Sequence, residues 1–296
     1  MEKKSFKSGF VTIIGRPNVG KSTLMNAIVG EKVAIVSQKA QTTRNRIMGV
    51  YTQEDWQAVF LDTPGIHTPR TKLGDTMMKA VDMALDDTEM IVFVFDASDI
   101  RDKDYEIADK YIKSKCPKIA ILNKIDLISK DALVALITKL ADYKFDDIIP
   151  ISALKGDGIE IVKKCIKKYL PEGPRYFPND YITDQPERFL IAEIIREKAL
   201  RNLTDEIPHG IGVEMMSIST AKSGVLHVEA TVYCEKESHK SIIIGKHGTM
   251  IGRIGSHARE DIERLMDTRV NLKLWVKVVP DWRNRIGDLK TLGYVE

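Results

Sequence analysis

The chain has 296 residues, 43% of them hydrophobic, which is enough to bury two separate cores. No apolar run reaches the roughly 20 residues that a membrane-spanning helix needs, and the basic start at Lys3 and Lys4 is not followed by a signal-peptide pattern, so we expect a cytoplasmic protein. The widely spaced Cys116, Cys165 and Cys234 argue against disulfides and a zinc site and favour buried, unreactive thiols.

The net charge of +3 is too small to indicate a nucleic-acid partner, so the distribution of charge matters more than its sum. Residues 1–182 contain 28 basic and 25 acidic side chains, and residues 183–296 contain 17 of each. A nucleic-acid site in the second half must therefore depend on a local concentration of positive charge.

Short apolar runs alternate with longer helical patterns in the first part of the chain, which predicts an α/β fold of buried parallel strands and crossover helices. The runs are Phe10–Ile14, Ala58–Leu61, Met90–Phe95, Lys118–Leu122 and Asp147–Ile151, and a last helix is expected near Gly158–Tyr169. Three prolines and a glycine in Pro171–Asp180 disfavour a continuing helix. We predict a first domain at residues 1–172 and a linker at residues 173–183.

The remaining residues, 184–296, predict an α+β second domain with a C-terminal tail. Its patterns are, in order, a helix from Pro186 to about Thr204, strands at Gly212–Ser219 and Val225–Tyr233, a glycine-punctuated helical stretch to about Asp267, and an alternating strand at Val270–Val279.

The first strand is followed directly by the phosphate-loop pattern Gly-x-x-x-x-Gly-Lys-Ser/Thr and then by a helix, the context that this motif requires. Its glycines let backbone N–H groups turn towards phosphates, Lys21 supplies charge to the β and γ phosphates, and the Ser22 hydroxyl is placed to bind Mg²⁺. The predicted nucleotide contacts here are Gly15, Arg16, Pro17, Asn18, Val19, Gly20, Lys21, Ser22 and Thr23.

Two further segments suit a nucleotide switch. Asp62, at the end of a buried strand, can hold Mg²⁺ through water, and the Gly65 amide can sense a γ-phosphate. The threonine-rich segment Gln41–Asn45 suits a switch loop. These segments add Thr42, Thr43, Asp62, Thr63, Pro64 and Gly65 to the predicted site, with Ser22, Thr43 and Asp62 as metal ligands.

A third motif, Asn123-Lys124-Ile125-Asp126, closes another buried strand and selects the base. The Asp126 carboxylate can accept hydrogen bonds from the N1–H and exocyclic amine of guanine, a donor pair that adenine lacks, so GTP and GDP are favoured. Ser152 and Ala153 end the last strand, where a backbone amide can meet the guanine O6.

These four motifs resemble the translation-factor-like GTPases, and Gly15–Ser22 with Asp62–His67 resembles the Era branch of bacterial ribosome-associated GTPases, over essentially the whole chain. The resemblance implies a Ras-like P-loop NTPase domain with a mostly parallel sheet, GTP hydrolysis with Mg²⁺ and a GTP/GDP switch. It also implies 30S ribosomal subunit assembly, binding to the 3′ end of 16S rRNA, a monomer, and weak peripheral association with the inner face of the membrane. Lys21, Thr43, Asp62, Gly65 and Asn18 are then the predicted catalytic residues.

The sequence leaves the activation of hydrolysis open, because the position of the water-orienting glutamine of Ras-like enzymes is occupied by Ile66. Two replacements are open: a K⁺ ion held near the phosphate loop by Asn18, or a residue or base supplied by a partner. Asn18 matches the potassium ligand of related GTPases, although a turn-forming role is an equal alternative. His67 is a weaker candidate for a general base, since γ-phosphate hydrolysis depends mainly on positioning and charge.

The second domain contains a Gly-x-x-Gly loop, Gly245–Gly248, between helical segments, which is the layout of a KH domain. Ser238–Arg259 contains four basic residues, three histidines and no acid, so the local positive charge is present. The order helix, strand, strand, helix, helix, strand resembles the prokaryotic, type II KH fold. The predicted RNA contacts are Lys240, Gly245, Lys246, His247, Gly248, Arg253 and Arg259.

The apolar residues around this loop recur at helical spacing and predict a core of Ile243, Ile251, Ile254, Ile262 and Leu265. The role of Trp282 is open between stacking on a base and anchoring the C-terminal tail.

Two classes of function fit these patterns. The first is an enzyme whose GTP state permits RNA binding and whose hydrolysis triggers release. The second is an RNA-binding assembly chaperone in which GTP mainly sets domain orientation. A tRNA-modifying GTPase shares the phosphate-loop sequence, but its C-terminal cysteine motif is absent and a KH pattern stands in its place.

Overall fold

The structure, a computed structural model, describes residues 5–37, 39, 42–86, 88–204 and 207–295, and of residue 209 only the backbone. Gln41 of the predicted switch segment and the N-terminal Lys3 and Lys4 lie outside these residues. By spatial proximity the chain divides into two compact units. The first is Met1–Ala34, Thr43–Thr68 and Met77–Asp184, and the second is Ile35–Thr42, Pro69–Thr76 and Gln185–Glu296.

Helices and strands alternate through the described part of residues 5–169, except that the second and third strands follow each other directly. In chain order they are β1 Lys7–Ile14, α1 Lys21–Val29, β2 Ile47–Thr52, β3 Trp56–Asp62, α2 Lys72–Asp86, β4 Met90–Asp96, α3 Asp102–Tyr111, β5 Lys118–Asn123, α4 Lys130–Ala141, β6 Asp147–Pro150 and α5 Ile159–Tyr169.

The strands form one sheet in the order β2-β3-β1-β4-β5-β6. Every pairing is parallel except that of β2 with β3, so the predicted mostly parallel α/β fold is confirmed. β3 and β4 are buried at every residue, because helices cover both faces of such a sheet. The parallel strands therefore end at one common edge, where ligands of α/β folds bind.

Strand β2 was not predicted from the sequence. Its central Gly49 interrupts a six-residue run, and glycine weakens a strand pattern. The strand forms because Gln53 N–H donates to the Trp56 carbonyl at 2.8 Å and closes a hairpin with β3. β2 lies at the edge of the sheet, where a strand with a weak sequence pattern is tolerated.

The residues predicted as a linker pack on the first unit. Phe177 and Tyr181 stack with ring centroids 4.7 Å apart and contact the apolar cluster around Val50. Val50 N–H donates to the Ile182 carbonyl at 2.7 Å, and the Thr183 hydroxyl donates to the Met48 carbonyl at 2.6 Å. This stretch is thus held along the β2 edge by hydrogen bonds and apolar contacts.

The second unit contains the predicted order of elements. They are α6 Glu187–Asn202, β7 Gly212–Thr220, β8 Leu226–Cys234, α7 Glu237–Ile244, α8 Thr249–Met266 and β9 Val270–Val278, followed by α9 Ile286–Thr291. The sheet order is β7-β8-β9, with β7 antiparallel and β9 parallel to β8, and a bulge lies between Met215 and Ser217. The predicted α+β fold of type II KH connectivity is confirmed.

Two of the residues predicted to form the core of this unit are less buried than expected. Ile243, Ile254 and Ile262 are buried as predicted, but Leu265 is 39% exposed and Ile251 only half-buried. The helical period continues past the point where α8 leaves the core, so Leu265 keeps the spacing without the burial.

The environment of Trp282 distinguishes between its two predicted roles, base stacking and anchoring of the C-terminal tail. It is fully buried, its indole N–H donates to the Gly210 carbonyl at 2.9 Å, and its ring lies against Tyr294. Anchoring of the C-terminal tail is therefore its role, and base stacking is excluded by its burial.

Two of the three cysteines are buried as predicted. Burial raises the pKa of the Cys165 thiol to about 12 and that of Cys234 to about 11, so both are protonated and unreactive at neutral pH. Cys116 is only half-buried, contrary to the prediction. None of the helices in the described residues is long and apolar enough to cross a membrane.

Candidate functional site

The phosphate loop lies at the common edge of the parallel strands, between the end of β1 and the start of α1. Its conformation uses left-handed backbone at Asn18 (φ 66°) and Gly20 (φ 101°), after which α1 begins. Val19 is buried, Pro17 and Thr23 are half-buried, and Asn18 is exposed at the tip of the loop.

Lys21 holds this loop together from within. Its ammonium donates to the carbonyls of Gly15 at 3.2 Å and Arg16 at 2.9 Å. Burial lowers the pKa of Lys21 to about 8, and the nearby Asp62 carboxylate opposes that shift. A buried cation whose solvation is this poor is well suited to bind an anionic ligand.

The three predicted metal ligands converge beside Lys21. The Ser22 hydroxyl donates to Asp62 Oδ2 at 2.6 Å and lies 2.9 Å from the Thr43 hydroxyl, which itself donates to Asp62 Oδ2 at 3.3 Å. Asp62 is fully buried, and its burial raises the pKa of the carboxyl. Its second oxygen, Oδ1, has no hydrogen-bond partner among the described residues.

This donor set fits Mg²⁺. Hard cations prefer carboxylate and hydroxyl oxygens, and a buried carboxylate oxygen without a partner costs roughly 1–3 kcal/mol that a cation would offset. Among the described residues no group of three His, Cys, Asp or Glu side chains suits a metal.

The segment after Asp62 closes against the phosphate loop. The buried Thr63 hydroxyl donates to the Ile13 carbonyl at 2.7 Å, and Ile66 N–H donates to the Gly15 carbonyl at 3.0 Å. A Cβ on Gly65 would lie 2.6 Å from Pro17 N and Cα, so only glycine fits. Pro64, between Thr63 and Gly65, is buried.

Two side chains lie at and directly after the position of the missing glutamine. The Ile66 side chain is buried in the core that includes Phe93 and Phe95, so it takes no part in a solvent-facing site. His67 Nδ1 lies 2.8 Å from the Gly65 carbonyl.

Thr42, another predicted nucleotide contact, belongs to the Ile35–Thr42 segment of the second unit. Its hydroxyl donates to the Lys39 carbonyl at 2.6 Å within that segment.

The base motif is joined to the phosphate loop by side-chain hydrogen bonds. The Asn123 amide donates to the Val19 carbonyl at 2.8 Å and accepts from Ala153 N–H at 3.0 Å. The Asp126 carboxylate, whose side chain is 15% exposed, has its pKa held below the ordinary value by the Ser152 hydroxyl, with a smaller contribution from Lys155. An ionised acceptor beside a buried amide is the arrangement that guanine recognition requires.

Sequence reasoning missed Asp96, a further buried carboxylate at this edge. The Lys124 ammonium pairs with Asp96 Oδ2 at 2.5 Å and donates to the Asn18 carbonyl at 2.9 Å. The sequence did contain an indication of this residue, because Asp96 ends the apolar strand β4 just as Asp62 ends β3. Asp96 thus stabilises the contact between the base motif and the phosphate loop.

The second unit contains a groove beside its Gly-x-x-Gly loop. Gly245 and Gly248 have φ of 72° and 78°, and Lys246 and His247 are exposed between them. The groove has a volume of about 290 Å³. Its walls are Gly248, Ile251, Gly252, Gly255, Ser256 and Arg259 from the loop and α8, with Leu272 and Leu274 from β9.

The structure brings together only some of the predicted RNA contacts. Gly248 and Arg259 line the groove, whereas Lys240 and Arg253 are not among its lining residues. Sequence reasoning missed Gly255 and Leu274. Glycine inside a helix costs about 1 kcal/mol relative to alanine, so Gly252 and Gly255 within α8 were a usable signal of an open surface.

Comparison with known proteins matches both units. Residues 10–124 match the family model for 50S ribosome-binding GTPases, and residues 206–283 match that for KH domains. GTPase Era of Ruminiclostridium cellulolyticum is 54% identical over 98% of both chains. GTPase Era of Clostridioides difficile is 53% identical over 98% of this chain and 99% of its own.

Two solved structures are also similar over their full lengths. A crystal structure of Era in complex with MgGDPNP and nucleotides 1506–1542 of 16S ribosomal RNA has a TM-score of 0.94 at 42% identity, covering 98% of this chain and 100% of that chain. An Aquifex aeolicus Era variant bound to GDP·AlF4⁻ has a TM-score of 0.94 at 41% identity, with the same coverage.

Proposed function

Because the chain belongs to the Era family of GTPases, we propose that it is a GTP-hydrolysing switch that binds the 3′ end of 16S rRNA and acts in 30S ribosomal subunit assembly. The observation that carries this proposal is the convergence of the Ser22 and Thr43 hydroxyls on Asp62 Oδ2, which leaves Asp62 Oδ1 without a hydrogen-bond partner among the described residues, close to the buried Lys21 ammonium. That arrangement supplies oxygen ligands for a metal ion and a cation for a polyphosphate.

Each part of the site has a role in this proposal. The amides of Gly15–Ser22 and the Lys21 ammonium hold the phosphates, and Asp126 selects guanine. Ser22, Thr43 and Asp62 hold Mg²⁺, which when bound neutralises charge on the phosphate oxygens. The Gly65 amide responds to the γ-phosphate in this proposal, which the close approach of Gly65 to Pro17 of the phosphate loop supports.

Hydrolysis without a catalytic glutamine is expected to be slow. We propose that K⁺, held by Asn18 at the exposed tip of the phosphate loop, supplies the missing positive charge near the phosphates. Basal phosphate release should then be faster in K⁺ than in Na⁺ at equal ionic strength, and Asn18→Ala should remove the difference. Equal rates in the two salts would leave activation to a partner.

The groove at Gly248–Arg259 is the proposed RNA site. KH domains hold about four single-stranded nucleotides against a Gly-x-x-Gly loop. The exposed Lys246 and His247 can meet the backbone at one end, while Arg259 adds charge inside the groove. Lys240 and Arg253 would then act by long-range attraction of the RNA.

The proposal is tested with the purified chain in two assays. Phosphate release should occur with GTP and Mg²⁺, be near background with ATP, and be abolished by Asp62→Asn. A labelled RNA copy of the 16S 3′ end should bind more tightly than a scrambled RNA, and more tightly with GDPNP than with GDP. Equal use of ATP, or no preference among RNAs, would contradict the proposal.

The assembly-chaperone alternative is favoured by one observation, the burial of Ile66 where a water-orienting side chain would stand. In that case hydrolysis is incidental and GTP acts as a ligand. With hydrolysis blocked by GDPNP, RNA release at an unchanged rate would support the chaperone. Arrested release would support the enzyme.

We further propose a monomeric, cytoplasmic protein with a nucleotide domain at residues 1–172, a linker at 173–183 and a KH domain at 184–296. Weak peripheral membrane contact is included because the N-terminus is basic at Lys3 and Lys4. Sedimentation velocity tests the monomer. Flotation with anionic and neutral vesicles tests the membrane contact, which should require the anionic lipid and low salt.

A further inference from the structure

Arg16, the first variable residue of the phosphate loop, directs its side chain to the start of α3. Its Nε donates to Asp104 Oδ2 at 2.7 Å and its Nη2 donates to the Asp99 carbonyl at 2.5 Å. Arg16 is 9% exposed and Asp104 is 2% exposed. The guanidinium is therefore engaged by protein groups in a nearly dry environment.

Asp104 is itself fixed by the helix that it starts. Its Oδ2 accepts a hydrogen bond from Arg101 N–H at 2.9 Å, which satisfies a backbone donor at the N-terminus of α3. One carboxylate oxygen thus joins the backbone of α3 to the Arg16 side chain. Movement of either would disturb both hydrogen bonds.

The other end of Arg16 contacts the catalytic lysine. The Arg16 carbonyl accepts a hydrogen bond from the Lys21 ammonium at 2.9 Å. A continuous path therefore connects the start of α3 to Lys21: Asp104 holds the Arg16 side chain, and the Arg16 backbone holds Lys21.

Charge adds to this path. After the larger effects of burial and Asp62, the Arg16 cation lowers the pKa of Lys21 and the Asp104 carboxylate raises it. Asp104 thus neutralises a second cation that would otherwise face Lys21 in a poorly solvated site. Loss of the carboxylate would leave the Arg16 guanidinium buried without its opposite charge.

We propose that Asp104, acting through Arg16, is a positioning residue for Lys21 in GTP hydrolysis. This inference depends on the proposed GTPase function. The segment 96–104 carries none of the recognised nucleotide motifs, and its part in catalysis is to keep the Lys21 ammonium where the β and γ phosphates meet it. Displacement of such a group by about 1 Å costs on the order of 100-fold in rate.

The test compares two conservative variants with a matched control. Arg16→Lys keeps the charge but cannot reach both Asp104 and the Asp99 carbonyl, and Asp104→Asn keeps the shape but removes the charge. Glu106→Gln removes a carboxylate from the same helix, where it forms an exposed pair with Lys103 at 2.7 Å. The concentration of active sites is measured by stoichiometric binding of a fluorescent GDP analogue. The hydrolysis rate is then given per active site, so that loss of folded protein does not lower it.

We expect kcat per site to fall about 10-fold or more in both variants, with GDP affinity at pH 7 changed less than about 3-fold. Combining Arg16→Lys with Asp104→Asn should cost less than the product of the single effects, since the two residues act as one unit. Glu106→Gln should behave like wild type.

Wild-type kcat per site in Arg16→Lys and Asp104→Asn would overturn the inference and show that the pair serves stability alone. Independent, multiplicative effects in the double variant would overturn it too. Absence of GTP hydrolysis by the wild-type chain would instead overturn the proposed function, and this inference with it.

Discussion

Substitution Gly65→Ala tests whether the close approach of two loops sets the rate of hydrolysis. The added Cβ would lie 2.6 Å from Pro17 N and Cα, about 0.8 Å inside ordinary van der Waals contact at 3.4 Å. Both contacts are backbone atoms, so the clash cannot be relieved by a side-chain rotation. The loop after Asp62 must retreat by nearly 1 Å and stretch the 3.0 Å hydrogen bond from Ile66 N–H to the Gly15 carbonyl.

A displacement of this size at the γ-phosphate is expected to lower kcat between about 10-fold and 100-fold. GDP affinity should change less than about 3-fold, because Asp126 and the amides of the phosphate loop are untouched. Single-turnover phosphate release and fluorescent GDP titration measure the two quantities. Gly287→Ala is the control, since a Cβ there meets nothing within 4 Å. A kcat within twofold of wild type would refute the reasoning.

The remaining predictions concern charge, anchoring and the groove. Since burial lowers the pKa of Lys21 from the ordinary 10.5 to about 8, GDP binding should take up a proton near pH 8.5 and weaken as pH rises further. Titration calorimetry in buffers of different ionisation enthalpy checks this, and a buffer-independent enthalpy would contradict it. Trp282→Ala should lower the free energy of unfolding of the second unit by about 3–5 kcal/mol, as expected for a fully buried tryptophan with a hydrogen bond. Urea unfolding followed by near-ultraviolet circular dichroism measures this free energy. A loss under 1 kcal/mol would argue against the anchoring role. Gly252→Leu should fill the groove and weaken binding of the 16S 3′-end RNA at least about 10-fold, whereas Gly252→Ala should have a smaller effect. Filter binding measures the RNA affinity of both variants. Wild-type affinity in Gly252→Leu would show that the RNA binds elsewhere.

The sequence predicted those parts of the site that depend on consecutive residues. Gly15–Ser22 and Asn123–Asp126 each lie at the end of a strand, so local pattern and position were sufficient. The Arg16–Asp104 pair was missed because its members are 88 residues apart and neither belongs to a motif that requires the other. The convergence of Ser22, Thr43 and Asp62 was predicted from chemistry, but the unpaired Asp62 Oδ1 emerges only from three-dimensional packing.

The errors in the fold have related causes. Strand β2 has a weak pattern and is formed by its partner β3 and the intervening hairpin, which local propensity does not contain. Leu265 continues an apolar period beyond the sheet that buries its predecessors. In both cases the tertiary environment, rather than the residue pattern, decides the outcome.

The glycines of α8 have a consequence for how variants of this chain should be selected. Alanine at Gly252 or Gly255 would favour the helix by about 1 kcal/mol, and a Cβ at Gly252 meets no atom within 4 Å. A screen for thermal stability should therefore enrich substitutions at these two positions, and a screen for RNA capture should deplete them. Opposite rankings in the two screens would mark this stretch of helix as one that retains lower stability in exchange for an open surface.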